Sequence, residues 1–502
     1  MGDRHATTVK ILFVATLLGA LGDMLFHYAT FGINTTLWTV GLVACGIVLA
    51  KRNGFDCNKV VAWLVPPTLV FALGFALHDS PGMWLVNAIG LGVCLTLITS
   101  NLRGFDLTKL SIFEGTIGLV VTWSMYIVDF FAFLIEDLQW KMLGRTTNVD
   151  KLKPILRGFL IATPLVILFG VLMSSADAVF RNLVSKPFEF DPTELVAHGG
   201  LVLFFFGVSI AMLRRGLIAK PVDFSSVTGA TENSSNGATE STIILGSLNA
   251  LFALFVAVQF RYFFGGHGVV VDTTGLKYSE YARQGFFQLV AVSALALPVL
   301  LVTTKSAHRG APGLRKSFNV LAGVMVALLT VVMASAVQRM ALYVGESGLS
   351  ELRLYTTAFM GWLAAVYAVY CFTNLAGRSQ RFAFGSLVAG LAVGVGLNVL
   401  RPGEFIAQYN ANVAAHGKTL DSNYLLSLGA DAVPTLMKAL PNLPKDQRAI
   451  AANWLQQWNS DQGDWRSFNV NRSRAHDLVS GQQQLLGKLM EGYNRDTYQP
   501  SY

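Results

Sequence analysis

The sequence predicts an all-α fold: a polytopic transmembrane bundle of about 11 to 12 helices over residues 1–400, then a small all-α extramembrane domain over residues 401–502. Three observations predict it. Apolar runs almost free of charge recur along the chain, among them Gly158–Ala176, Leu195–Leu213, Gly285–Thr303, Asn319–Ala336 and Phe382–Leu400. A run of roughly 18 such residues crosses about 30 Å of hydrocarbon as a helix, and only helices or closed barrels satisfy their backbone there. Charged residues make up 14% of the chain, against roughly 25% in soluble domains, while hydrophobic residues reach 53%. Finally, the net charge of +8 sits mostly in short loops between the runs, a pattern that orients helices in a membrane. It forms no basic stripe with interleaved aromatics, so no nucleic-acid partner is expected.

The first span follows Lys10. Ile11–Leu21 resembles a signal peptide, but Asp23 and His27 stand where a small-residue cleavage site would, so the segment is read as an uncleaved helix, Leu12–Tyr28. The next spans are Ile33–Ala50, Val60–Leu77, Met83–Ser100, Arg157–Ser175 and Leu195–Leu213. Thr242–Phe260, Gly285–Val302, Phe318–Ala336, Leu354–Phe372 and Phe382–Leu400 complete the set. Pro66, Pro67, Pro164 and Pro298 fall inside spans and predict kinks. Gly390 and Gly394 form a small-xxx-small pair, read as a site of internal packing before dimerisation.

Thr116–Leu134 is ambiguous: long enough to cross, but carrying Asp129. Loop charge decides between two topologies. Basic clusters lie at Lys51/Arg52/Lys59, Arg103/Lys109, Lys141–Arg157, Arg214/Arg215/Lys220, Lys305–Lys316 and Arg378/Arg381. All are cytoplasmic only if Thr116–Leu134 is interfacial or re-entrant, which gives about eleven spans and a C-terminus outside. A full crossing gives about twelve and puts the first two basic loops outside. Val222–Thr242 is rich in Ser, Thr, Gly and Asn and reads as a flexible cytoplasmic loop.

Past Arg401 the helical patterns are too short and polar to span. Asp431 is placed to cap a helix with Pro434 in its first turn. Ile450, Trp454 and Trp458 recur at helical spacing, and Leu478, Leu485 and Leu489 mark a last helix. Asn471-Arg472-Ser473 fits a glycosylation triplet, a pattern common by chance.

No HExxH, GxSxG or Walker-type motif occurs, and no two of the eight histidines stand at metal-ligand spacing on one helix face, so neither metal nor cofactor is expected. Cys45, Cys94 and Cys371 lie in apolar runs and Cys57 in a loop, without a disulfide framework. The polar residues that stand out belong to the outer side of the eleven-span topology. They are Asp23 and His27, Asp177 and Arg181, His198, Glu280 and Arg283, Arg339 and Tyr343, and Glu351 and Arg353. Charge at the lip of a span costs a few kcal/mol unless it is paired or faces a wet cavity. One reading is a polar pocket of Asp23, Asp177, Arg181, Glu280, Arg283, Glu351 and Arg353, open to the outside. The other is structural, with pairs such as Glu280 or Glu351 and Arg283 or Arg353 fixing helix ends. Asp23 is the best single candidate for a buried acid.

Several segments resemble a bacterial integral-membrane family known as a domain of unknown function, four-one-seven-three, related to four-one-five-three. They are Leu18–Phe26, Ser174–Phe180, Tyr278–Leu289, Gly348–Trp362, Arg401–Asn410, Leu420–Leu436 and Asp464–Ala475. The resemblance implies a multi-pass bacterial inner-membrane protein with a helical tail, and it carries no activity or ligand. Three functions stay open. The first is a permease with an outward-facing polar pocket. The second is a non-catalytic scaffold or envelope sensor whose outer loops and tail bind a partner through Trp454, Trp458 or Trp465. The third is an enzyme acting on lipid-linked substrates through Glu280, Glu351 and the arginines. Expected partners are membrane lipids and a small molecule or protein not defined by the sequence.

Overall fold

A computed structural model describes residues 2–55, 59–103, 112–138, 169, 173, 192–219, 237–264, 278–307, 312–415, 421–443, 445–457 and 464–490. Every regular element among the described residues is helical. In the first bundle these are α1 (Gly2–Phe26), α2 (Ile33–Arg52), α3 (Lys59–Leu77), α4 (Pro81–Asn101), α5 (Ile112–Ala132) and α6 (Pro192–Leu217). A π-helical turn, Phe133–Asp137, extends α5. The second bundle holds α7 (Gly237–Phe264), α8 (Tyr278–Ala307), α9 (Pro312–Ser347), α10 (Glu351–Tyr370) and α11 (Phe382–Leu400).

Among the described residues ten helices, α1 to α4 and α6 to α11, are long and apolar enough to cross a membrane. They coincide with ten of the expected spans. The eleventh, Arg157–Ser175, lies outside the described residues except for helical Phe169 and Met173. Large apolar side chains face outward along the bundles, with Phe13 65% and Leu295 69% exposed. In water such a surface would be an aggregation liability; in lipid it is the expected outer wall. The chain is a multi-pass membrane protein.

Helices in lipid gain from close packing more than from water exclusion, so small residues matter at their crossings. A Cβ on Gly394 would lie 2.8 Å from the Phe71 ring of α3, and one on Gly390 3.2 Å from Trp362 of α10. The small-xxx-small pair therefore serves internal packing. Through it α11 joins the two bundles, running parallel to α3: Phe384 meets Trp63 at one end and Asn398 bonds Asn87 at the other. Helices α3 and α8 continue through Pro66, Pro67 and Pro298.

Two faces result. One carries the N-terminus of α1 and the C-termini of α2, α4, α5 and α6. It is tied by Thr7 to Asn53 (3.1 Å), Arg103 to the Ala219 carbonyl (2.7 Å) and Arg4 to Asp137 (2.6 Å). The described basic clusters gather here. Helix α5 runs parallel to α4, since Trp123 bonds Thr96 and Tyr126 bonds Thr99. The two therefore end on the same face, so Arg103 and Asp137 lie on one side.

The opposite face carries the tail. Helix α11 ends at Arg401, whose φ of 54° is the left-handed conformation that stops a helix. Six helices follow: α12 (Pro402–Ala415), α13 (Ser422–Ser427), α14 (Val433–Ala439), α15 (Lys445–Gln457), α16 (Val470–Ser480) and α17 (Gln483–Leu489). They enclose a core of Leu425, Leu428, Val433, Leu436, Leu455 and Val479, joined by Leu349 from the α9–α10 turn.

Three expectations are corrected. Asp431 does not cap α14; it sits in a 3-10 turn and accepts bonds from the Asp79 N–H and Asn471. Helix α15 buries Ala451, Ala452 and Leu455, while Trp454 is only partly covered by the same core; Trp458 lies outside the described residues. Helix α7 begins at Gly237, so the end of the expected loop Val222–Thr242 is helical. The glycosylation triplet is structural, because Asn471 is buried and its amide donates to Asp431.

Candidate functional site

Helices α1 and α6 pack against each other, with close approaches at Gly19 and Gly22. A Cβ on Gly22 would lie 2.3 Å from the Phe205 ring, so glycine is required there. That approach brings Asp23 near the end of α1, and His27 in the turn just past it, against Glu194 and His198 of α6. Each pair is four residues apart and shares one helix face.

His198 Nδ1 lies 2.8 Å from both Asp23 carboxylate oxygens. The His27 and His198 rings stack, with centroids 3.7 Å apart and planes 10° from parallel. Both Nε2 atoms stand 3.9 Å from Glu194 Oε2, and Tyr28 donates to Glu194 Oε1 at 3.2 Å. Asp23, His27 and His198 each offer a donor atom within 4.8 Å of the others. Among the described residues neither carboxylate is ion-paired with a lysine or arginine. The side chains are half-open: Asp23 is 19% exposed and His198 44%.

The tail grips the turn beside this cluster. Arg466 donates to the Met24 carbonyl at 2.6 Å, and the Ile33 N–H donates to the Phe468 carbonyl at 3.0 Å. Arg472 reaches Thr30 Oγ1 (2.7 Å) and also pairs with Asp79 (2.8 Å) at the end of α3.

The other expected pocket residues do not join this cluster. Asp177 and Arg181 lie outside the described residues. Glu280 and Arg283 fall in the first turns of α8, with side chains outside the description. Glu351 and Arg353 do not pair with each other. Glu351 accepts from Tyr355 (3.2 Å), while Arg353 caps α9 through the Ser347 and Gly348 carbonyls and lies 4.0 Å over the Tyr343 ring. Both make structural contacts, without the Glu351–Arg353 pair. Arg339 bonds Gln259 at 2.9 Å.

At the basic face the same two helices carry a second charged group. Arg214 bonds Asp129 and Asp137 (both 2.5 Å), Arg215 bonds Asp129 (2.6 Å) and Arg4 bonds Asp137 (2.6 Å). The two aspartates are almost completely buried. Asp129 is thus a partner in an ion network at the helix ends.

Under the tail lies a third polar group: His78, Asp79, Asp431, Asn469, Asn471 and Arg472. Burial pushes Asp431 up to about 6, against the Asn471 amide that favours its charged form. Burial also raises Asp79, opposed by Arg472, and lowers His78 to about 4.

Sequence reasoning singled out Asp23, His27 and His198 separately but missed Glu194, Asp79, Asp137 and Arg472. A search for histidine pairs could not find the outer cluster. Mixed carboxylate–histidine pairs at i, i+4 on two spans, Asp23/His27 and Glu194/His198, are the signal that would have.

The sequence profile of a family described as a domain of unknown function, DUF4153, matches residues 66–439. The chain belongs to this family. The match covers the whole second bundle, most of α3, α4 to α6 and the start of the tail, which accords with the resemblance seen in the sequence. No curated protein and no solved structure matches the chain.

Proposed function

We propose that this protein is a permease-like component of the bacterial inner membrane, with its outward-facing polar site at Asp23, His27, Glu194 and His198. The observation that carries the reading is a half-open cluster of two carboxylates and two histidines, with no lysine or arginine ion-paired to it among the described residues, at the end of two closely packed spans. Charge at a membrane lip is costly unless it is paired or faces a wet cavity, and a half-open acidic group set against histidines alone is expected where a substrate or ion completes it. The described basic loops lie on the face opposite the tail, which supports a cytoplasmic basic face and an extracytoplasmic tail. Residues 401–502 then form an external domain. A reporter fused after Arg103 should read cytoplasmic, and an external signal would reverse the orientation. Flux into proteoliposomes should be lost in Asp23→Asn at unchanged protein yield; undiminished flux would remove the transport role.

A second reading, an envelope sensor or scaffold, draws on the grip of the tail on the α1–α2 turn. Trp465, 60% exposed beside that turn, is the one described tryptophan of the tail free to meet a partner. Deleting residues 401–502 should abolish partner capture while the membrane bundle still accumulates. A truncated chain that retains every partner would exclude it.

A further inference from the structure

We infer that Asp23, His27, Glu194 and His198 form a binding site for one divalent transition-metal ion, of the zinc type. The inference names the ligand class of the outer site and rests on the reading of that site as one open to the outside.

The donor geometry comes first. His198 is held by Asp23 through Nδ1 at 2.8 Å, which leaves Nε2 as its outward nitrogen. A carboxylate bonded to the far nitrogen of a metal-ligating histidine is the usual support for such a ligand, because it fixes ring orientation and raises basicity. The His27 ring lies parallel to His198, 3.7 Å away, so two imidazoles stand side by side. Both Nε2 atoms face Glu194 Oε2 at 3.9 Å. Asp23, His27 and His198 each offer a donor atom within 4.8 Å of the others, with Glu194 Oε2 beside both rings, so rotation of these side chains brings donors to about 2 Å, the length of a zinc–nitrogen or zinc–carboxylate bond. Two imidazoles and two carboxylates are therefore gathered at one point on the tail face.

Charge comes second. The cluster sets two carboxylates against histidines, and the described residues supply no lysine or arginine to offset their charge. A divalent cation would. The imidazoles select against Mg2+ and Ca2+, which prefer all-oxygen sites.

Support comes third. The ligands stand on two helices locked by Gly22 against Phe205, and Arg466 of the tail holds the Met24 carbonyl beside Asp23. A ligand set on rigid helices is positioned before the ion arrives.

The test uses the full chain, purified in detergent, stripped with chelator and dialysed. Bound metal is counted after Zn2+ is added, and melting is followed with Zn2+ or Mg2+. The expected result is one Zn2+ per chain and a melting temperature raised by Zn2+ but not by Mg2+. Both effects should be lost in His27→Ala and His198→Ala. Asp23→Asn should weaken binding about 10- to 100-fold. If a histidine variant fails to fold, Glu194→Gln should also weaken binding, and Zn2+ should protect His27 and His198 of the wild type from diethylpyrocarbonate. No Zn2+ on the folded wild type, equal retention by the variants, or no protection overturns the site. Flux is read separately. Zn2+ binding without flux of any ion overturns the permease reading and leaves the metal site; flux of another solute without Zn2+ binding overturns the metal site alone.

Discussion

Helices α1 and α6 carry a charged group at each end, and the two groups differ in kind. At the basic face Asp129, Asp137 and Glu136 meet Arg4, Arg214 and Arg215, so acids and bases balance. The two aspartates are sealed from solvent, and each arginine–aspartate contact is within 2.6 Å. At the tail face Asp23 and Glu194 meet two histidines, half-open, with contacts as long as 3.9 Å. A balanced, closed network holds helices together and has no capacity left for a ligand. An unbalanced, open one holds them less well and keeps donors to offer. The same helix pair is thus fastened at one end and available at the other.

The largest effect should come from breaking the fastened end. Asp137→Ala removes the acceptor shared by Arg4 and Arg214 and leaves a nearly buried guanidinium short of a partner. Loss of one member of a buried ion network costs about 3–5 kcal/mol. Denaturant unfolding in detergent should show a loss of that size. A loss below about 1 kcal/mol would mean that the network does not fasten the helices and that the contrast between the ends is false.

Next is the tail, which holds the open end in place. Asp431, raised to about 6 from an ordinary 3.8, binds its proton more tightly when the tail is docked. Its contribution is therefore full below about pH 4 and is lost as pH rises through 6, by about 3 kcal/mol. His78, lowered to about 4, acts in the opposite sense: its contribution is present above about 6.5 and is lost as pH falls toward 4. In Asp431→Asn the loss between pH 4 and 6 should shrink, leaving the loss from Asp79, which is raised in the same sense, and the opposite slope of His78. An unchanged profile would show that Asp431 does not titrate there. Arg472→Ala should have a smaller effect, about 1.5–3 kcal/mol, by removing the bonds to Asp79, Thr30 and Phe31. Hydrogen exchange in α16 and in the α1–α2 turn should rise together. A rise in α16 alone would uncouple the tail from the site.

The spans were legible because their signal is local. Phe382–Leu400 is an apolar run closed by Arg381 and Arg401, and the helix has those bounds. Where helices outrun the hydrocarbon the signal fades: α9 continues to Ser347, past the expected end at Ala336, because Arg339 and Tyr343 find polar and aromatic partners beyond it. Asp23 was legible as an acid in a span, since its cost is a property of its own surroundings. Its partner was not. His198 is 175 residues away, and apolar periodicity says which face of a helix is buried without saying against which helix. Asp431 shows the converse error, for a local capping pattern was overridden by an acceptor role toward Asp79, 352 residues distant.

The smallest stability effect belongs to the open end, and its smallness is informative. Asp23 and Glu194 flank one imidazole, and each is partly hydrated. Exposed charge pairs contribute about 0–1 kcal/mol, so Glu194→Gln should leave unfolding of the metal-free protein within about 1 kcal/mol of wild type. The sign is the sharper observation. Removing one of two like charges that lack a cation relieves repulsion, so the variant should be level with wild type or slightly more stable. Added Zn2+ should reverse that order, because a ligand at a hundred times its dissociation constant stabilises the protein that binds it by about 2.7 kcal/mol, and a neutral carboxamide is a poorer ligand than the carboxylate it replaces. A variant less stable than wild type without metal would mean that Glu194 already has its partner, and the two ends of the helix pair would then be fastened alike.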